Sequence, residues 1–232
     1  MKLPIVIAID GYSSTGKSST SKQIAHALGF IHIDSGAMYR AITLFALRKG
    51  FITPNNQIAT QKLIPLLSSI SIQFRPNLQT GKLETYLNNE RVEDKIRSIE
   101  ISSHVSNIAA IKEVRDLCVE LQRSMAKEME VVMDGRDIGT VVFPDANVKL
   151  FITASAEARA ERRFLEYQAE GKQVTYEEVL ANVIERDKID STRAIAPLKA
   201  ADDAIIIDNS CMNLEETVEK ALQIIKQKLA VL

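Results

Sequence analysis

Five short apolar runs recur along the chain, separated mainly by segments in which apolar residues recur at helical spacing. The runs are rich in Ile and Val and lack the polar alternation of a half-exposed strand, which is typical of strands buried on both faces of a parallel sheet. They span Ile5–Ile9, Phe30–Ile33, Val131–Met133, Val148–Ile152 and Ala204–Ile207. The pattern therefore predicts an α/β fold in which a five-stranded parallel sheet carries helices on both faces.

The segments between the runs predict the helices. In the first of them, Ile24, Ala25 and Leu28 share one helical face. Gly50 is expected to end the second helix, and a polar loop follows at Thr53–Asn56. The predicted helices are Ser19–Leu28, Ala37–Arg48, an apolar stretch ending near Leu67, Ser98–Ala110, Glu113–Lys127, Ala156–Glu170, Tyr176–Ile189 and Leu214–Leu229.

The pattern changes between Ser71 and Val92. Apolar and β-branched residues here form short runs that are divided by turn residues at Pro76-Asn77, Thr80-Gly81 and Asn88-Asn89. Short strands joined by tight turns pair antiparallel. We therefore expect a small antiparallel β insert, a subdomain within an otherwise alternating β/α chain.

Length and composition suit a globular protein with a sizeable core, since the chain has 232 residues, 46% hydrophobic and 25% charged. A net charge of −1 gives no global basic field, so neither nucleic acid nor an anionic membrane is an expected partner. Cys118 and Cys211 lack metal or redox spacing, and Cys118 is expected in the core. No apolar run reaches a membrane-spanning length, and the first strand begins close to Met1. We therefore expect no signal peptide and a cytoplasmic location.

The stretch Gly11–Ser18 matches the phosphate-loop pattern G-x-x-x-x-G-K-[ST]. Backbone N–H groups of such a loop and of the helix after it point at phosphate oxygens, while Lys17 reaches the β- and γ-phosphates and Ser18 holds Mg²⁺. The other reading is a chance glycine-rich turn, but the predicted strand before the loop and the helix after it favour nucleotide binding. The predicted phosphate-binding positions are Gly11, Ser13, Ser14, Thr15, Gly16, Lys17, Ser18 and Ser19.

Polar and flexible residues follow the predicted strands directly. Ligands of parallel α/β sheets bind at the carboxyl ends of the strands, where these residues fall. The segments are Asp10-Gly11, Asp34-Ser35-Gly36, Asp134-Gly135-Arg136-Asp137 and Thr153-Ala154-Ser155. Their placement predicts that the binding site lies at this edge of the sheet.

Arginines cluster in the same regions. Arg159, Arg162 and Arg163 follow the fourth strand at helical spacing, as do Arg186, Asp190 and Arg193 on a later helix. Arginine binds phosphate bidentately and neutralises a transferring phosphoryl group, although a lone arginine is more often a solvated surface residue. So many arginines beside a phosphate loop, Arg40 and Arg136 included, favour a kinase with a phosphorylated acceptor.

Missing motifs count against two other nucleotide-dependent classes, the GTPases and the protein kinases. The chain has no N-K-x-D pattern of a GTPase and no H-R-D or D-F-G pattern of a protein kinase. The histidines, His26, His32 and His104, are scattered without metal or triad spacing and are expected to be structural.

Four segments together resemble the bacterial cytidylate (CMP) kinase family over essentially the whole chain. They are Gly11–Ser18, Asp34–Arg40, the block D-G-R-D-I-G-T-V-V-F-P-D-A at Asp134–Ala146, and R-D-K-I-D-S-T-R at Arg186–Arg193 with Ala196-Pro197-Leu198. The resemblance implies a P-loop kinase fold and transfer of a phosphoryl group from ATP, with Mg²⁺, to CMP or dCMP. One departure stands out, since the family loop commonly begins Gly-Pro-Ser-Gly, whereas this chain has Gly11-Tyr12-Ser13-Ser14.

The resemblance also implies roles for particular residues. Ser35 and Asp190 would contact the acceptor ribose with Arg186 close by, and the acceptor phosphate would lie against Arg40, Arg136 and Arg193. Ser106, Arg115 and Asp137 would read the cytosine edge, because a carboxylate accepts from the cytosine amino group. Arg159, Arg162 and Arg163 would belong to a mobile lid over the ATP phosphates, and Asp134 would act on Mg²⁺ through water. The catalytic residues would be Lys17, Arg136, Arg159, Arg163 and Arg193.

The expected organisation is one P-loop kinase domain over residues 1–232. Within it, residues 37–110 would form the nucleoside-monophosphate-binding subdomain with its β insert at about 70–93, and residues 154–170 the arginine-rich helical lid. The expected partners are the small-molecule substrates ATP and CMP or dCMP, and the protein is expected to be a monomer. Two alternatives stay open: a P-loop kinase acting on UMP or a non-nucleotide acceptor, and a nucleotide-dependent switch without acceptor chemistry.

Overall fold

The structure is a computed structural model that describes residues 4–53, 55, 57–79 and 83–230. The chain divides into two compact units, one formed by Met1–Asp34 with Arg123–Leu232 and the other by Ser35–Gln122. The predicted turn at Thr80-Gly81 and parts of the predicted loop at Thr53–Asn56 lie outside the described residues.

The elements alternate as the apolar pattern predicts. The strands are β1 (Val6–Gly11), β2 (Ile31–Asp34), β3 (Ile72–Pro76), β4 (Leu83–Leu87), β5 (Glu90–Arg91), β6 (Val131–Gly135), β7 (Val148–Thr153) and β8 (Ile205–Asp208). The α-helices are α1 (Lys17–Leu28), α2 (Ser35–Arg48), α3 (Thr60–Leu63), α4 (Ile99–Ala109), α5 (Lys112–Met125), α6 (Ala156–Ala169), α7 (Tyr176–Thr192) and α8 (Leu214–Leu229). The described residues also form 3₁₀ turns at Ile64–Ser69 and Lys95–Arg97 and a π-helical turn at Ile138–Val142.

The first unit is built on a five-stranded sheet with the order β2-β6-β1-β7-β8, in which every neighbouring pair is parallel. Ile7 and Ile9 of β1 are fully buried and pack with Ile24 of α1 and Ile225 of α8. Ala8, whose side chain lies on the opposite face of β1, is also fully buried. Burial of both faces explains the unbroken apolar run of this strand. The predicted α/β fold with a five-stranded parallel sheet and flanking helices is confirmed.

The register brings the polar strand ends to one edge of the sheet. Asp10 lies opposite Gly135, and Gly11 lies opposite Ile152. Asp34 pairs with Asp134 in the same way. The phosphate loop and the polar segment after β6 therefore start from neighbouring strand ends, as the sequence predicts.

The second unit contains the three-stranded antiparallel sheet β3-β4-β5, which confirms the predicted insert. Asn88 and Asn89 connect β4 to β5 with φ angles of 49° and 67°. Two successive residues with positive φ form the type I′ turn that favours asparagine and glycine. The predicted subdomain of residues 37–110 lies inside this unit, which extends further to Gln122.

Some local structure differs from the predicted boundaries. The helix expected to reach Leu67 ends at Leu63, where a 3₁₀ turn with Pro65 near its start takes over. Proline lacks the N–H that a continuing helix needs. The π-helical turn at Ile138–Val142 was not predicted, because its apolar residues do not distinguish it from an ordinary connection. Within the described residues, no helix is both long enough and apolar enough to cross a membrane.

Candidate active site

The phosphate loop leaves β1 through a glycine that no other residue can replace without displacing the backbone. Gly11 has a φ of 144°, and a Cβ added to it would lie 1.9 Å from the carbonyl oxygen of Ile152 on β7. Gly16, with a φ of 79°, precedes Lys17, the first residue of α1. The helix therefore starts directly at the end of the loop, with its N-terminal N–H groups available to an anion.

Ser14 lies in the left-handed region, with a φ of 58°. Because a side chain is strained there, we expect Ser14→Gly to raise the free energy of unfolding by about 0.5–1 kcal/mol, measured by urea denaturation. Ser19→Gly is the matched control, since this exposed serine lies in the first turn of α1. Glycine at that position should lower the free energy of unfolding, and a loss of stability in both variants would contradict the strain at Ser14.

Lys17 is buried, and its ammonium donates hydrogen bonds to the carbonyl oxygen of Tyr12 and, at 3.4 Å, to the hydroxyl of Thr15. Burial lowers the pKa of Lys17 well below its usual value, and the positive charges of Arg136 and Arg186 lower it further. Asp134 and Asp10 oppose this shift only in part. An anion bound here would stabilise several cations at once.

Ser18, Asp134 and His32 form a chain of hydrogen bonds across neighbouring elements. The hydroxyl of Ser18 donates to Asp134 Oδ2 at 2.7 Å, and Asp134 Oδ1 lies 2.7 Å from His32 Nε2. Burial alone would lower the pKa of His32, but the hydrogen bond and charge of Asp134 raise it. Across the described part of the chain, no three His, Cys or acidic side chains form a metal-binding group.

A second group of charged residues joins the segment after β6 to α7. Arg136 Nε donates to Asp190 Oδ2 at 2.9 Å, and an Arg193 guanidinium nitrogen lies 3.7 Å from Asp137 Oδ1. Burial alone would raise the pKa of Asp190, but Arg136, Arg186 and Arg193 lower it below its usual value. The structure thus brings Arg136 and Asp137 together with Asp190 and Arg193, although 54 residues separate Arg136 from Asp190 in the sequence.

Arg159, the first of the three arginines on α6, reaches the phosphate loop. It is buried, forms a bidentate ion pair with Asp187 of α7 at 2.6 and 3.0 Å, and donates to the carbonyl oxygen of Ser13 at 3.3 Å. Its guanidinium also lies 5.0 Å from the centre of the Tyr12 ring. The ring of Tyr12, the bulky residue by which this loop departs from the family pattern, therefore packs against the Arg159 guanidinium, which also binds the Ser13 carbonyl of the same loop.

The other two α6 arginines point to different partners. Arg162 donates to Asn209 and to backbone carbonyls after β8, the shortest contact being 2.6 Å to the carbonyl oxygen of Asn209. Arg163 pairs with Glu166 at 2.8 Å and lies 4.5 Å from the centre of the Tyr167 ring. Their expected action on the ATP phosphates stays a prediction.

Of the other residues predicted for the acceptor site, Arg186 lies on α7 of the first unit and the rest belong to the second unit. Ser35, buried, begins α2, and Arg40 lies further along the same helix. Ser106 on α4 and Arg115 on α5 are both buried. Arg115 donates to the carbonyl oxygen of Ala109 at 3.3 Å, and its guanidinium lies 5.7 Å from the centre of the Tyr39 ring.

Two charged residues at this site have partners that were not predicted. Asp187 pairs with Arg159, and Asp10 accepts hydrogen bonds from the backbone N–H groups of Ile138 and Gly139. Asp10 was expected at the binding edge of the sheet from its position at the end of a strand, but no role was assigned to its side chain. Nothing in the spacing of Asp187 identified its partner on another helix.

Comparison with known proteins places these features in a family. A family model described as "Cytidylate kinase" matches residues 7–227. A cytidylate kinase of Phocaeicola vulgatus is 55% identical over 212 residues, 91% of this chain and 92% of its own. One of Flavobacterium johnsoniae is 51% identical over 221 residues, 95% and 96% of the two chains.

Among solved structures, an uncharacterized protein from Eubacterium ventriosum aligns with a TM-score of 0.50 and 13% identity. The alignment covers 97% of this chain and 99% of that one, and at such low identity it bears on the fold alone. The family, in contrast, follows from the matches at half identity over almost the full length. This chain belongs to the cytidylate kinase family.

Proposed function

We propose that the protein transfers the γ-phosphoryl group of ATP to CMP or dCMP, giving ADP and the nucleoside diphosphate. The observation that carries this proposal is the phosphate loop, which leads from β1 into the N-terminus of α1 and holds the buried Lys17 near Arg136 and Arg186. Burial lowers the pKa of Lys17 and the two arginines lower it further, so bound phosphates would stabilise its charged ammonium. Membership of the cytidylate kinase family supports ATP as donor and CMP as acceptor.

Catalysis in this proposal is positioning with neutralisation of charge. The N–H groups at the start of α1 and the ammonium of Lys17 bind the β- and γ-phosphates. Arg136 and Arg193 hold the acceptor phosphate, and Asp190 orients the Arg136 guanidinium through the 2.9 Å hydrogen bond. No general base or covalent intermediate is required, because the acceptor phosphate is itself the nucleophile.

Ser18 and Asp134 fit a magnesium ion that also binds the substrate phosphates. Their oxygen atoms lie 2.7 Å apart, and Mg²⁺ in kinases takes few protein oxygens alongside phosphate oxygens and water. We assign Ser18 as the direct ligand and Asp134 as a ligand through water. When bound, the ion would neutralise charge on the β- and γ-phosphates.

The second unit and α6 have their own proposed parts. The subdomain of residues 37–110 would bind the acceptor nucleotide through Arg40 and Ser106, together with Ser35 and Arg115, which lie outside that range in the same unit Ser35–Gln122. The helix within residues 154–170 would act as a lid that excludes water, with Arg159 and Arg163 contributing to charge neutralisation. A net charge of −1 gives no global field that would recruit nucleic acid or an anionic membrane. The protein is proposed to act on small-molecule substrates as a monomer in the cytoplasm.

Asp137 is proposed to select cytosine, so Asp137→Asn should lower the ratio of CMP to UMP turnover by about 10- to 100-fold. An asparagine amide keeps the shape of the buried carboxylate but presents N–H donors that suit the uracil carbonyl. The ratio of kcat/KM values for CMP and UMP measures the effect. Asp145→Asn, at an exposed position of the same motif, is the control, and an unchanged ratio in Asp137→Asn would remove Asp137 from base recognition.

The reaction itself is tested by ADP release from ATP and Mg²⁺ in the presence of CMP, dCMP, UMP, AMP or GMP. We expect rapid turnover with CMP and dCMP, weaker turnover with UMP and none with purine nucleotides. Binding of ATP without any acceptor-stimulated turnover would favour the switch. Turnover with UMP alone, or with a non-nucleotide alcohol, would favour the other kinase.

A further inference from the structure

Asp10 is a buried carboxylate whose hydrogen bonds go to the backbone of another element. It ends β1 directly before the phosphate loop and is 4% exposed. The N–H of Ile138 donates to Asp10 Oδ1 at 2.7 Å, and the N–H of Gly139 donates to Asp10 Oδ2 at 2.7 Å. Both carboxylate oxygens are therefore used by the two residues that follow Arg136 and Asp137.

The Asp10 carboxylate packs against the start of the π-helical turn Ile138–Val142. The turn is closed by a 2.7 Å hydrogen bond from the N–H of Phe143 to the carbonyl oxygen of Ile138. A Cβ on Gly139 would lie 3.4 Å from Asp10 Oδ2 and 3.1 Å from the Lys149 side chain. The turn can rest directly on Asp10 because glycine leaves room for this close approach.

Two cations hold the other end of the same segment. Arg123 donates to the carbonyl oxygens of Val141 at 2.8 Å and Val142 at 3.0 Å, and Lys149 donates to that of Pro144. The N–H groups at the start of the turn bind the anion Asp10, and carbonyl groups at its end bind the cations. Of these three side chains, Asp10 binds the residues nearest to Arg136 and Asp137.

We propose that Asp10 is a positioning residue that fixes Arg136 and Asp137 relative to the phosphate loop. β1 continues from Asp10 into the loop, so one carboxylate links the ATP-binding backbone to the segment that binds the acceptor phosphate and base. The inference rests on the proposed function for its catalytic meaning. The anchor itself, however, is a property of the folded chain and can be measured without substrate.

The ionisation of Asp10 supplies a readout. Burial raises the pKa of Asp10 to about 7, and the negative charge of Asp137 adds to the rise. The two backbone N–H groups and Lys17 lower this pKa and offset the rise only in part. Lys149 lies on the other side of Gly139. Protonation weakens the acceptor for one N–H, so the anchor should loosen as pH falls through about 7, and the KM for CMP should rise.

Asp10→Asn tests the proposal, because its amide offers one accepting oxygen and turns a donor towards the second N–H. We expect the KM for CMP to rise about tenfold and the KM for ATP to change less than about threefold. The variant should also lose the part of the pH dependence near 7 that the wild type shows. Titration of the CMP phosphate affects both proteins equally, so it cancels when the KM for CMP of the variant is divided by that of the wild type at each pH.

Arg123→Gln is the control, since it removes contacts at the far end of the turn. It should leave the KM for CMP within about twofold of the wild type. Equal increases in both KM values for Asp10→Asn, or a loss of stability with an unchanged KM for CMP, would reduce Asp10 to a structural residue and overturn the proposal.

A measurement on the wild type covers the case in which Asp10→Asn does not fold. The amide proton shifts of Ile138 and Gly139 should titrate together with a midpoint near 7 in NMR spectra of the substrate-free protein. Amide protons of Ile138 and Gly139 that exchange with solvent without protection at about pH 8.5, where Asp10 is ionised, would overturn the anchor. If wild-type turnover were not stimulated by CMP, the proposed function would fail while this exchange measurement still decided the anchor.

Discussion

Replacing Lys17 with alanine is expected to lower turnover by about 100- to 1000-fold. Its ammonium is held inside the phosphate loop by Tyr12 and Thr15, where it can follow the γ-phosphoryl group as charge moves during transfer. Lys17 is the single lysine of the motif Gly11–Ser18, and the loop places it at the start of α1. Initial rates of ADP formation at saturating ATP and CMP measure the effect.

The unfolding temperature of Lys17→Ala shows whether the loss of turnover comes from the missing ammonium or from an unfolded protein. Burial beside Arg136 and Arg186 disfavours the charged form of Lys17, so Lys17→Ala should unfold at the same temperature as the wild type or a higher one. Lys22→Ala, at an exposed lysine on the same helix, is the control and should keep wild-type turnover. Near-normal turnover in Lys17→Ala would mean that the phosphate loop is assigned wrongly.

The predictable part of the fold depends on chemistry that is local in the chain. Gly11 and Gly16 could be assigned from spacing alone, because the strand before the loop and the helix after it are short-range features. Asn88 and Asn89 likewise marked a turn, and both adopt the positive φ that asparagine tolerates. Parallel pairing then placed the polar strand ends at one edge of the sheet.

The site beyond those local features depends on contacts between distant segments. Arg159 and Asp187 lie on different helices, and no periodicity identified their ion pair. Arg159, which is predicted to act on ATP, is thus already paired with Asp187, a partner that the sequence did not reveal. The anchor from Asp10 to Ile138 was equally hidden, since backbone N–H groups carry no sequence signal.

Gly11→Ala is expected to lower the free energy of unfolding by about 3–5 kcal/mol and to abolish measurable ATP binding. An alanine Cβ would overlap the carbonyl oxygen of Ile152, 1.9 Å away, in the neighbouring interior strand β7. Relief requires the backbone to move, because Gly11 and Ile152 are paired in the sheet. The φ of 144° adds strain that side chains rarely tolerate.

Gly29→Ala separates the overlap from the cost of a positive φ. Gly29 ends α1 with a φ of 71°, and no atom lies within 4 Å of an added Cβ. This control should therefore lose only about 1 kcal/mol and keep its ATP affinity. Urea denaturation and calorimetric titration with ATP compare the two variants directly. If Gly11→Ala lost no more stability than Gly29→Ala, the close approach of β1 to β7 could not be what requires glycine at the entrance to the loop.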